Sequence, residues 1–252
     1  MFGLLKPKLP LDENHQEWAD QSFRRLGTLL GARHLLDATV MLPIQEHFPD
    51  PYDRSEEALR RMVNRVAAAM HVDPSRIDVE LFESEYEVSR TLVPFFSGTG
   101  STAPAGLYFH TPEERQRIAV NASELKNPVA LVAVIAHEIG HVILLRPGRV
   151  RRDEEDMEPL NDLLTIFLGF GVFTANSAFQ FSQFTNDRSQ GWSTRRLGYL
   201  SEPMLGYALA RFAYERREEK PDWAPFVQSN IAPYMKRSLA WLNSSGQQRL
   251  LS

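Results

Sequence analysis

The 252-residue chain contains no cysteine, which excludes disulfides and thiolate metal ligands together, so any metal ion must be held by His, Asp or Glu. A cytoplasmic, reducing setting fits that composition. An export signal is not expected either, because Pro7 and Pro10 interrupt the opening MFGLLKPKLP within a few residues. The longest uncharged stretch, Leu163 to Asn186, is made polar in its second half by Asn176, Ser177, Gln180, Ser182 and Gln183. It therefore reads as a buried core helix, and no stable membrane insertion is expected. Excess positive charge is lacking too: the formal net charge is −4 and the arginines are interspersed with carboxylates, which argues against general affinity for nucleic acid or an anionic membrane. Internal repeats and coiled-coil heptads are absent.

What the chain has is apolar material, 43% of its residues, enough to bury a substantial core in one compact domain spanning 1–252. Its organisation reads as an N-terminal helical region (1–76), a central region (77–175) and a C-terminal helical region (176–252). Helical material is expected around Gln16 to Leu36, followed by a loop from Pro43 to Pro51. Leu59, Met62, Val63, Val66 and Met70 recur at three- and four-residue steps, and Ser55 is suited to cap the helix they imply. That helix is expected to pack on a sheet. Ile77, Val79 and Leu81 alternate with Asp78 and Glu80, the period of a strand with one wet face. Further strands are expected at Leu107 to His110 and at Gln116 to Asn121, with Ile118 and Val120 sharing a side. The Gly- and Ser-rich stretch from Ser97 to Gly106 superficially resembles a phosphate loop but lacks the Gly-Lys-Ser/Thr ending, so a mobile loop is expected.

Residues 128–145 form an apolar segment that Asn127 can cap and Pro128 can open, with Arg146-Pro147-Gly148 as its stop. Inside it, His137 and His141 stand four residues apart, so they project from one face and can bind one metal ion. Glu138 lies beside that face. This His-Glu-x-x-His arrangement suits two imidazoles to zinc and the glutamate to proton transfer with an activated water. Burying three polar side chains in an apolar helix costs several kcal/mol unless each is paired, which lowers the weight of a chance match.

A third ligand is offered downstream by Glu158, followed four residues on by Asp162. Pro159 places Glu158 near the start of a new helix, since proline is tolerated in the first turn only. Two acids there would also complement a helix dipole without any metal. Following a His-Glu-x-x-His segment, ligation by one carboxylate and orientation of a histidine by the other is the stronger expectation. Glu154 or Glu155 is the alternative ligand, within a charge-balanced loop that also holds Asp153 and Asp156.

His137-Glu138-Ile139-Gly140-His141, a short connection, and Glu158-x-x-x-Asp162 together resemble the active-site layout of the gluzincin metallopeptidases, including the thermolysin-like and minigluzincin members. The resemblance covers roughly residues 77–175. It implies an α+β zincin-like fold, in which a small mixed sheet accompanies the His-Glu-x-x-His helix and a second, glutamate-bearing helix among additional helices. It implies Zn2+ held by His137, His141 and Glu158, with Glu138 as general base and acid and Asp162 supporting a ligand. It further implies that Gln116 to Asn121 is an edge strand along which an extended peptide or protein substrate would lie. The expected function is zinc-dependent hydrolysis of peptide bonds. The connection from His141 to Glu158 is somewhat shorter than in thermolysin, and the third histidine of metzincins is absent.

Candidates for stabilising an oxyanion are Tyr199, Tyr207, Arg195 and His110, each tyrosine being equally at home in packing. Two other readings stand beside the peptidase: a zinc-containing peptide-binding or regulatory module with little or no turnover, and a metal-free structural domain in which the motif is accidental.

Overall fold

The computed structural model describes residues 7–82, 106–110, 116–146, 149–184 and 200–251, with 106–110 and 179–184 described by their backbone alone. The fold is mixed and mostly helical, α+β in class, and includes one small sheet. The chain passes through two compact units.

One unit comprises residues 43–152 and 177–197. The stretch from Pro43 to Pro51 is irregular, as its prolines require. Helix α3 (Glu56–Ala69) follows α1 (Glu13–Leu30) and α2 (Arg33–Leu36) of the other unit in chain order, and Ser55 caps it by accepting a hydrogen bond from the Ala58 amide at 3.1 Å. Its apolar stripe, including Leu59, Val63 and Val66, is buried against α4 (Pro128–Leu144) and strand β1 (Ile77–Phe82). Strands β2 (Gly106–His110) and β3 (Gln116–Asn121) complete a three-stranded sheet of order β1-β3-β2. β3 pairs in parallel with β1, Val79 opposite Ile118, and antiparallel with β2, Leu107 opposite Ala119.

The expected edge position of Gln116 to Asn121 is therefore corrected: β3 is the central strand. Both sides of its backbone are already hydrogen-bonded to neighbours, so it has no ladder to offer a substrate. Its burial agrees, because Ala119 is enclosed as fully as Ile118 and Val120 on the opposite face. Among the described residues β1 and β2 form the edges. In β1, Ile77 and Val79 are buried as their alternation predicts, but Phe82 is buried where Leu81 is only half so.

The other unit comprises residues 1–42, 153–176 and 198–252. Asp12 caps α1 (Glu13–Leu30), and Gly31, with φ of 94°, stops it before the single-turn α2 (Arg33–Leu36). A glycine is suited to that left-handed turn, so the helical stretch read from Gln16 to Leu36 is two helices. Helix α5 (Met157–Phe167) packs on α1, where the Phe23 and Phe167 ring centroids lie 6.2 Å apart. The apolar run from Leu163 to Phe173 is likewise divided: α5 ends at Phe167 and α6 (Gly171–Phe184) begins after a turn at Gly169. Gly169 has φ of 90°, and a Cβ there would stand 2.3 Å from the Thr39 carbonyl oxygen, so only glycine fits. Helices α7 (Glu202–Glu215) and α8 (Ala232–Ser244) complete the unit, with Gly206 of α7 allowing the backbone of Tyr234 and Met235 close. No helix among the described residues is long and apolar enough to cross a membrane.

Candidate metal centre

Helix α4 forms where the sequence places it, with Asn127 accepting from the Ala130 amide at 3.2 Å and Pro128 in the first turn. Leu131, Ile135 and Ile139 are fully enclosed, and burial of each contributes about 1.5–3 kcal/mol, which fixes the rotation of the helix about its axis. That rotation sets the histidines. Their imidazole rings lie with centroids 4.8 Å apart and planes at 86°. His137 is half-buried and His141 is 8% exposed, so both sit at the margin of the core rather than in free solvent. Glu138 is 5% exposed.

Glu158 occupies the second position of α5, with Pro159 in the first turn as expected. One ligand atom from each of His137, His141 and Glu158 can be chosen so that all lie within 4.8 Å of one another. Donors bound to one zinc ion at about 2.0–2.2 Å stand at most about 4 Å apart, so a group with this spacing could hold a metal ion. Two imidazole nitrogens and one carboxylate oxygen would, with an ion bound, make a three-ligand set that leaves a coordination position open. Asp162 lies one turn beyond Glu158 on α5 and is 2% exposed.

The alternative ligands are placed elsewhere. The Glu154 carboxylate is 2.7 Å from the Arg25 guanidinium of α1, and Glu155 is exposed. Beside them, the Trp18 indole N–H of α1 donates to Asp156 at 3.2 Å. Neither Trp18 nor Arg25 stands out in the sequence as belonging to this region. The available signal was their seven-residue separation, which puts them on one face of α1 with buried Ser22 between.

Of the oxyanion candidates, Arg195 and Tyr199 lie outside the described residues, and His110 ends β2. Tyr207 is a core residue. Its hydroxyl donates to Asp20 at 2.7 Å and accepts from Arg211 at 2.8 Å, and it has no exposure to solvent. Burial, assisted by the Asp20 carboxylate and opposed by Arg211, pushes that hydroxyl far above the ordinary tyrosine range. Arg211 is fully enclosed, 2.9 Å from Asp20 and 3.6 Å from Glu215, whose carboxylate in turn accepts from the Leu250 and Leu251 amides. Tyr207, Arg211 and Glu215 recur every fourth residue, a spacing that marks this network in an otherwise apolar helix.

Compared with known protein families, with characterised proteins and with solved structures, the chain matches none.

Proposed function

We propose that this protein is a zinc-dependent metallopeptidase with a zincin-like catalytic core. The observation that carries the reading is the approach of His137, His141 and Glu158 donor atoms to within 4.8 Å of one another. Support comes from the donor chemistry: with no cysteine in the chain, two imidazoles and a carboxylate suit a catalytic rather than a structural zinc site. A bound zinc supplies a Lewis acid and lowers the pKa of water to about 7. The residues of the chain divide the remaining work. His137, His141 and Glu158 hold the ion, and Asp162 orients one of these ligands. Glu138, beside the histidine face, accepts the proton of the attacking water and returns it to the leaving amide nitrogen. Its 5% exposure keeps bulk water from competing for that proton. With β3 paired on both sides, an extended peptide would add to the β2 edge of the sheet. A chain without cysteine suits the cytoplasm, where a disulfide would not persist.

The test is cleavage of a peptide library by the zinc-loaded chain. Cleavage that disappears in Glu138→Ala while zinc content stays at the wild-type level supports the peptidase. A second reading, a zinc-containing peptide-binding module with little or no turnover, is favoured by the withdrawal of Tyr207 into the core network. Peptide binding without cleavage above the Glu138→Ala control decides for it.

A further inference from the structure

Asp156 stands at the N-cap of α5, where an aspartate ordinarily accepts from the second or third amide of its helix. The third position here is Pro159, which has no N–H to give, and Asp156 makes no side-chain capping bond. Its backbone, at φ of −99° and ψ of 13°, departs from the extended geometry such caps adopt. The carboxylate instead accepts the Trp18 indole N–H at 3.2 Å, and two residues earlier Glu154 pairs with Arg25 at 2.7 Å. Two side chains of α1 on one face thus grip the segment that opens α5, two residues before Glu158. A helix start released from its own cap is held by its neighbour.

We infer that Trp18 is a positioning residue for the third metal ligand, acting through Asp156, with Arg25 and Glu154 as a second point of attachment. This rests on the reading of Glu158 as a ligand. The first position of α5 follows Asp156 directly, so a shift of Asp156 carries Glu158 with it, and ligand misplacement by a fraction of an ångström weakens metal binding. The half-buried indole is suited to this role because it donates one bond in one direction.

Zinc affinity of the full chain, measured by competition with a chromophoric chelator, tests the assignment alongside thermal unfolding of the metal-free forms. Trp18→Phe and Asp156→Ala are each expected to weaken zinc binding about 10-fold, the range of outer ligand supports, with metal-free unfolding temperatures close to wild type. The double variant should bind no more weakly than either single one, since both remove the same bond. Asp156→Asn keeps an oxygen for the indole and should retain near wild-type affinity, which separates positioning from loss of a negative charge. Unchanged affinity in Trp18→Phe, or a loss that follows a fall in metal-free stability, overturns the inference alone. Failure of the wild-type chain to bind zinc overturns the metal-site reading and this inference with it.

Discussion

The imidazole rings of His137 and His141 meet edge to face, centroids 4.8 Å apart and planes at 86°. Four residues of α4 set that spacing, and the enclosed Leu131, Ile135 and Ile139 hold the helix face that presents it. A metal ion bound there would favour the folded chain by mass action, by about 4 kcal/mol at a free concentration 1,000 times the dissociation constant. Zinc is therefore expected to raise the unfolding temperature, and a chelator to reverse the rise. Differential scanning calorimetry of wild type and His141→Ala, each with and without zinc, checks this; equal shifts in both proteins would place the ion elsewhere.

The buried network around Arg211 yields a stability prediction. Arg211 has no solvent exposure and faces Asp20 and Glu215, both nearly enclosed. Replacing it with methionine would leave two buried carboxylates without the guanidinium, a loss on the order of 3–5 kcal/mol. Urea unfolding of Arg211→Met should show a correspondingly lower midpoint. A midpoint near wild type would mean that solvent reaches the carboxylates.

Alkaline pH should act through Tyr207. The unfolded chain releases that proton near the ordinary tyrosine value of 10, whereas burial holds it well above this in the folded protein. Above about pH 10 the unfolded state binds fewer protons than the folded one, so stability falls as pH rises. Below pH 10 the contribution is complete. Chemical denaturation between pH 8 and 11 should show a shallower decline for Tyr207→Phe than for wild type, despite its lower stability at neutral pH. Parallel declines would contradict the assignment.

Much of the unit that carries the histidines was legible in the sequence. Ser55 and Asn127 cap the helices they were expected to cap, and the alternation of β1 and the limits of β3 follow local patterns that strand and helix periods encode directly. Strand order is not local: alternation through Ile118 and Val120 says which side is buried, but not that β1 and β2 flank β3 on both sides. The division between α5 and α6 was hidden because Leu163 to Phe173 is uncharged and, apart from Thr165, apolar, while Gly169 turns the backbone close to Thr39, distant in the chain. The Asp20–Arg211 pair joins residues 191 positions apart, and no periodicity reports such a contact. The candidate site was legible to the extent that it lies on two helices with their own start signals, Asn127-Pro128 and Glu158-Pro159. The grip of Trp18 and Arg25 on the second of them was not.

Zinc content of the purified, metal-supplemented chain tests the central claim most directly. Inductively coupled plasma spectrometry should find about one zinc per wild-type chain, with that zinc lost in folded His137→Ala, His141→Ala and Glu158→Ala. Folded wild-type protein that takes up no zinc, or retains it in all three variants, would contradict the account.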